Sequence, residues 1–135
     1  MSKRFALMSI HPKYANAILD GSKRVEFRKR RLADDVNRVV IYATSPVKAV
    51  LGEFMVARQV TATPPTLWRL FGGDGAGVTR DELMAYYLAE PSSEMPRGTA
   101  IVIASAAYSA PRRLTDYGIS RPPQSWRYLT EEEER

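Results

Sequence analysis

Lys23, Glu26 and Arg28 are the residues whose types and spacing most invite chemistry. They lie in the run Gly21-Ser22-Lys23-Arg24-Val25-Glu26-Phe27-Arg28, which sets a carboxylate between cations. A glycine turn followed by alternating apolar and charged residues reads as a turn feeding a strand, whose side chains point to opposite faces in turn. Val25 and Phe27 then share an apolar face, while Glu26, Arg28 and Arg30 share the other. A carboxylate drawn out of water stays ionised only among cations or donors, so Lys23, Glu26 and Arg28 can form one mutually neutralised cluster. Such a cluster suits the polar edge of a ligand. A desolvated lysine beside other cations is also a candidate base or nucleophile, although a neighbouring Glu26 favours its charged form. The ordinary alternative is a solvated strand face that serves solubility alone.

Other chemistries are poorly supplied. His11 is the single histidine and precedes Pro12, which places it at the opening of a helix, and no nucleophile-elbow sequence accompanies it. The chain has no cysteine, which excludes disulfides and thiolate zinc sites. Glu26 and Glu53 meet only if their strands are neighbours, and spacing yields no metal-ligating set. Gly72-Gly73-Asp74-Gly75-Ala76-Gly77 is glycine-rich, yet no Lys-Ser or Lys-Thr pair follows it, so it lacks the context of a phosphate cradle.

Charge points to an anionic partner. The net charge is +5 over 135 residues and the isoelectric point is about 9.7. The excess gathers in the opening third, where Lys23, Arg24, Arg28, Lys29, Arg30 and Arg31 stand close together; Glu131 to Glu134 offset part of it at the other end. Clustered cations bind phosphate backbones by counterion release without reading sequence.

The elements that must position these residues follow from periodicity. Phe5 to Ile10 reads as a first strand. Pro12 suits a first helical turn, and Tyr14, Ala15, Ala17, Ile18 and Leu19 form an apolar stripe that Gly21 ends. Arg38 to Ala43 reads as a central strand and Thr44-Ser45-Pro46 as a break. Val47 to Val60 reads as a long strand, with Gly52 marking a bulge or a place where another group approaches closely. Thr63 to Phe71 reads as a short helix. Thr79 and Glu82 form a capping box opening a helix to about Ala89, with Leu83, Tyr86 and Tyr87 as its packing face. Thr99 to Tyr108 is another strand, and Leu114 to Leu129 reads as turn material. The expected whole is one α+β domain over residues 1–130, a small closed or nearly closed barrel of several short strands, followed by an acidic, disordered tail at 131–135. No apolar run reaches the length of a membrane span. Ser9, His11 and Lys13 interrupt any signal-peptide core, so the expected location is the cytoplasm.

Five blocks in order resemble the ASCH domain of the PUA-like superfamily, in its stand-alone prokaryotic form. They are Ser9-Ile10-His11-Pro12-Lys13-Tyr14-Ala15, the G-x-K-x-x-E-x-R run from Gly21 to Arg28, Ile41-Tyr42-Ala43-Thr44-Ser45-Pro46, Gly52-Glu53-Phe54, and Pro122-Pro123-Gln124-Ser125-Trp126-Arg127-Tyr128-Leu129. The resemblance implies a PUA-like barrel of five to six mostly antiparallel strands flanked by short helices, with a cleft between barrel and first helix. Lys23, Glu26 and Arg28 fall on the family's signature positions lining that cleft, with Thr44, Ser45, Gln124 and Ser125 as second-rank candidates. It also implies RNA, in single-stranded form, as partner. Arg24, Lys29, Arg30 and Arg31 would meet phosphates, Glu26 and Arg28 the base edge, and Trp126 or Tyr42 would be stacking platforms unless the core claims them. The alternatives are a ribonuclease, for which some relatives use a divalent metal, or a hydrolase of a modified base, with Lys23 and Glu26 catalytic in either, and a sensor of a nucleotide-like ligand. A branch that deacetylates N4-acetylcytidine carries a threonine where this chain has Glu26, so that activity is not implied. His11 stands where relatives often carry a lysine.

Overall fold

In the computed structural model the described residues are 4–130; the acidic stretch 131–135 lies outside them. The chain runs β1 (Arg4–Ile10), α1 (Pro12–Leu19), β2 (Val25–Arg28), β3 (Arg38–Ala43), β4 (Ala49–Ala62), α2 (Pro64–Phe71), α3 (Arg80–Tyr87), β5 (Gly98–Arg112) and β6 (Trp126–Thr130). Short 3-10 turns occupy Asp74–Ala76 and Leu114–Tyr117. The strands form one sheet in the order β2-β5-β4-β3-β1-β6. Among the described residues only β1 and β3 pair in parallel; the other four pairings are antiparallel. Parallel neighbours need a crossover, which here is α1 together with β2.

Because the ladder stops at β2 and β6, the sheet does not close through its backbone into the expected barrel. Its ends nevertheless approach each other. Arg28, at the end of β2, donates to the Ser9 carbonyl of β1 at 3.0 Å and to Ser125 Oγ, just before β6, at 3.1 Å. A side chain spans the gap where a closed barrel would have ladder bonds.

The α+β class and the strand count are as expected, and the differences are local. The strand read from Val47 starts at Ala49, after the turn at Thr44–Val47, and runs on to Ala62. The ladder between β3 and β4 shifts register at Ile41/Tyr42, and that between β4 and β5 does so at Val50/Gly52, close to the bulge read at Gly52. The helix read to Ala89 ends at Tyr87. Within the stretch read as turns, Trp126–Thr130 pairs with β1 as an edge strand. It is five residues long, follows two prolines and is held on one side only, so its alternation gives a weak sequence signal.

Three apolar clusters hold the sheet. Alternate residues of β1 and β3 pack under α1: Met8 and Ile10 with Val39, Ile41, Ala15 and Ile18. Their opposite faces, Phe5, Leu7, Val40 and Tyr42, pack with Leu114, Tyr117 and Ile119. Tyr42 is therefore core, not a stacking platform. The third cluster joins Val25 and Phe27 of β2 to Leu67 of α2, Ala76, and Leu83 and Tyr87 of α3. That last cluster sets α3 beside β2 and so forms the site.

Candidate functional site

Both faces of β2 are covered. Val25 and Phe27 enter the third cluster as alternation demands, while Glu26 on the opposite face is also buried. The solvated-face alternative therefore does not hold. Lys23 sits just before the strand, and its side chain is 2% exposed, against 9% for Glu26 and 12% for Arg28. The Arg28 guanidinium meets Glu26 Oε2 at 2.8 Å through Nη2 and at 2.9 Å through Nε. Lys23 Nζ lies 3.8 Å from the other carboxylate oxygen.

What encloses Lys23 is the glycine-rich loop. Its Nζ donates to the Ala76 carbonyl at 2.5 Å, and the next backbone amide, Arg24 N, donates to the Gly75 carbonyl at 2.7 Å. Gly77 has a left-handed φ of +72°, and a Cβ there would fall 2.5 Å from the Lys23 stem. Only glycine meets both requirements without strain. The loop thus closes over a lysine rather than cradling a phosphate. Lys23 Nζ also lies over the rings of Phe27 and Tyr14, at 5.4 and 5.6 Å from their centroids. Burial is the largest influence on its acidity and pushes its pKa below the ordinary lysine value; Glu26 pulls the other way and Arg28 adds to the lowering.

A cavity of about 270 Å³ opens on this cluster. Lys23, Glu26, Phe27 and Arg28 line it together with Tyr14 of α1 and with Val78, Glu82, Leu83 and Tyr86 around α3. An apolar hollow with a few convergent polar groups is the usual form of a small-ligand site. The expected cleft beside the first helix is present, and α3 supplies its second wall. Tyr14 Oη donates to Glu82 at 3.4 Å across the opening. Burial and the nearby carboxylate raise the Tyr14 pKa. Glu82 is held below the usual carboxylate range by the Thr79 backbone amide of the capping box, then by the Thr79 side chain. Tyr86, read from the sequence as packing only, is a wall of the cavity and 40% exposed. Tyr87 is core, and its hydroxyl donates to the Arg28 carbonyl at 2.8 Å, tying α3 to the end of β2.

The remaining sequence candidates scatter. Ser125 is brought to Arg28. Gln124 is exposed beside it. Arg24 is exposed and its side chain lies against Gly75. Arg30 is exposed with its guanidinium carbon 5.9 Å from the centroid of the half-buried Trp126 ring. Arg31 pairs with Asp34 at 2.8 Å. Thr44 and Ser45 belong to the turn after β3 and do not line the cavity. His11 caps α1, its Nδ1 accepting from the Lys13 amide at 3.2 Å. Glu53 pairs with Arg38, away from Glu26. Among the described residues no three metal-ligating side chains gather. No helix among them is long and apolar enough to cross a membrane. Tyr14 was visible in the α1 stripe and Glu82 in the capping box, but nothing in the sequence said that the two helices face each other.

The mostly antiparallel α+β sheet with its flanking helices is a PUA-like fold, as the match to solved ASCH structures shows. The ASCH domain matches residues 8–102, and the chain belongs to that family. An ASCH domain-containing ribonuclease from Zymomonas mobilis subsp. mobilis is 31% identical over 136 residues, covering 97% of this chain and 88% of the relative. The crystal structure of ASCH from Zymomonas mobilis matches with a TM-score of 0.82 at 30% identity, covering 96% of this chain and 90% of that one. A serine-to-alanine mutant of that protein matches at 0.83, also at 30% identity, covering 98% and 94%. A large ribosomal subunit protein from Ureaplasma parvum serovar 3 is 30% identical over 125 residues, or 91% of this chain, but the chain spans only 38% of that relative's length.

Proposed function

We propose that this protein binds single-stranded RNA and receives one nucleobase in the cavity between α1 and α3. The observation that carries the reading is the cavity floor: a carboxylate and a guanidinium, held 2.8 Å apart and largely out of water, beneath apolar and aromatic walls. Glu26 is an acceptor for a base amino or imino group and Arg28 a donor for a ring carbonyl or nitrogen. Shielding from water strengthens both contacts. Bases of single-stranded RNA are free to be splayed out and stacked on aromatic side chains, and Tyr86 and Tyr14 are the rings available. The exposed cations Arg24, Lys29, Arg30 and Arg31 would attract the backbone.

A second reading, that the bound RNA is cleaved, is favoured by the ribonuclease among the relatives and by the desolvated amine of Lys23. Lys23 would then be the activating group and Glu26 the acid or base, with Arg28 bracing Glu26; a divalent metal is an added requirement to be tested. Labelled single-stranded RNA is incubated with the purified protein, with and without magnesium or manganese. Retarded, intact RNA supports binding alone, fragments support cleavage, and their dependence on the ion reports the metal requirement. Free, intact RNA at low salt contradicts both.

A further inference from the structure

Three consecutive cations leave the end of β2 in three directions. Arg28 turns onto the cavity floor. Lys29 reaches toward α3, its Nζ 5.2 Å from the centroid of the Tyr86 ring at the cavity wall. Arg30 reaches the other way, to Trp126 at the start of β6. The peptide carrying them is fixed, because the Arg28 carbonyl accepts from Tyr87 Oη and the Arg28 side chain from the same residue grips Ser9 and Ser125. Lys29 and Arg30 are both exposed, and each lies near an aromatic face rather than a carboxylate, a contact weak enough at an exposed site to yield to a phosphate. Arg31, by contrast, is engaged by Asp34.

Lys29 and Arg30 are thus exposed cations next to the floor and wall of the cavity, within reach of the backbone of a nucleotide whose base enters it. We propose that Lys29 and Arg30 are two phosphate subsites flanking the seated nucleotide, one on its α3 side and one on its β6 side, so that the cavity accepts an internal nucleotide of a strand rather than a free nucleoside or a chain end. The inference rests on the RNA reading above and narrows its ligand to a segment with a phosphate on each side of the recognised base. Trp126 is placed to stack a neighbouring base once Arg30 turns to a phosphate.

The test is equilibrium binding, in chelator, of ApApA, CpCpC, GpGpG and UpUpU, each against its nucleoside and 5′-mononucleotide, with the ligands checked intact afterwards. A 12-residue single-stranded RNA is measured alongside. The best trinucleotide is expected to bind at least tenfold more tightly than its nucleoside and mononucleotide. For the 12-residue RNA, Lys29→Ala and Arg30→Ala should each flatten the slope of log affinity against log salt by about 0.7, the value for one phosphate contact on a single strand. Arg113→Ala, at an exposed position beyond β5, should leave the slope unchanged. A nucleoside or mononucleotide that binds as well as the trinucleotide, or slopes that neither variant moves while the long RNA still binds, would overturn the two-phosphate footprint alone. Failure of every RNA to bind, the 12-residue strand included, would remove the RNA reading and the footprint with it.

Discussion

Among the described residues, two cavities of about 270 Å³ each contain an arginine-glutamate pair. The one between α1 and α3 has Glu26 and Arg28 with side-chain exposures of 9% and 12% and a lysine enclosed beside them at 2%. The other, lined by β3, β4 and the far end of β5, has Glu53 at 45% and Arg38 at 20%, with Arg112 beside them. Size and the kinds of charge are alike; the burial of the charged side chains is not. Charges in water are screened and contribute little as pairs, whereas charges removed from it must find fixed partners and are costly when those are lost. The first cavity is held in one arrangement by its own burial, which is what a recognition floor requires. In the second, the carboxylate of the pair keeps nearly half of its side-chain surface in water.

The largest difference should appear on deleting the carboxylates. Glu26→Ala leaves Lys23 and Arg28 facing each other out of water and is expected to cost about 3–5 kcal/mol in chemical denaturation, while Glu53→Ala should cost no more than about 1 kcal/mol. Equal losses would break the contrast. Next is the lid over Lys23. Gly77→Ala forces a side chain into a left-handed position and against the lysine stem, and should cost at least about 1–2 kcal/mol; Gly118→Ala, also at positive φ but with no atom within 4 Å of the added Cβ, should cost less than Gly77→Ala.

A smaller effect concerns pH. Because the Lys23 pKa is lowered on folding, the unfolded chain holds this proton where the folded chain has lost it, between the lowered value and the ordinary 10.5. Stability therefore rises with pH across that window through this group. The difference between the parent protein and Lys23→Met, followed by denaturation at several alkaline pH values, should move in the parent's favour as pH climbs toward 10.5. A difference that stays flat would mean that Lys23 is not desolvated. Smallest is the α3 cap. Glu82 is held ionised by the Thr79 amide, so its contribution is complete above its ordinary 4.5 and fades as pH falls through the lowered folded value. Glu82→Gln should narrow the gap to the parent in acid, as read from melting temperatures.

How much of this was legible in the sequence depends on how far each contact reaches along the chain. The alternation Val25-Glu26-Phe27-Arg28 and the turn at Gly21 are local, and they put Val25 and Phe27 on one face of the strand and Glu26 and Arg28 together on the other. The burial of its polar face is not local. It comes from a loop and a helix more than fifty residues away, through Ala76 on Lys23 and Tyr86 beside Arg28. Tyr86 looked like packing because a tyrosine at helical spacing is the same signal whether it faces a core or a cavity. The glycine loop was separated from phosphate cradles by its context, but that it closes over a lysine depends on a tertiary contact. The family resemblance supplied the cleft; that α3 is its second wall follows only from the tertiary fold.

The measurement that bears most directly on the central claim is base preference. Affinities of single-stranded oligo(A), oligo(C), oligo(G) and oligo(U) are compared for the parent, Glu26→Gln and Glu53→Gln, each first shown to be folded by thermal melting. Replacing an acceptor-only carboxylate by an amide that also donates should reorder the four affinities for Glu26→Gln and leave the parent order for Glu53→Gln. The same order in all three proteins would contradict base recognition on the Glu26–Arg28 floor.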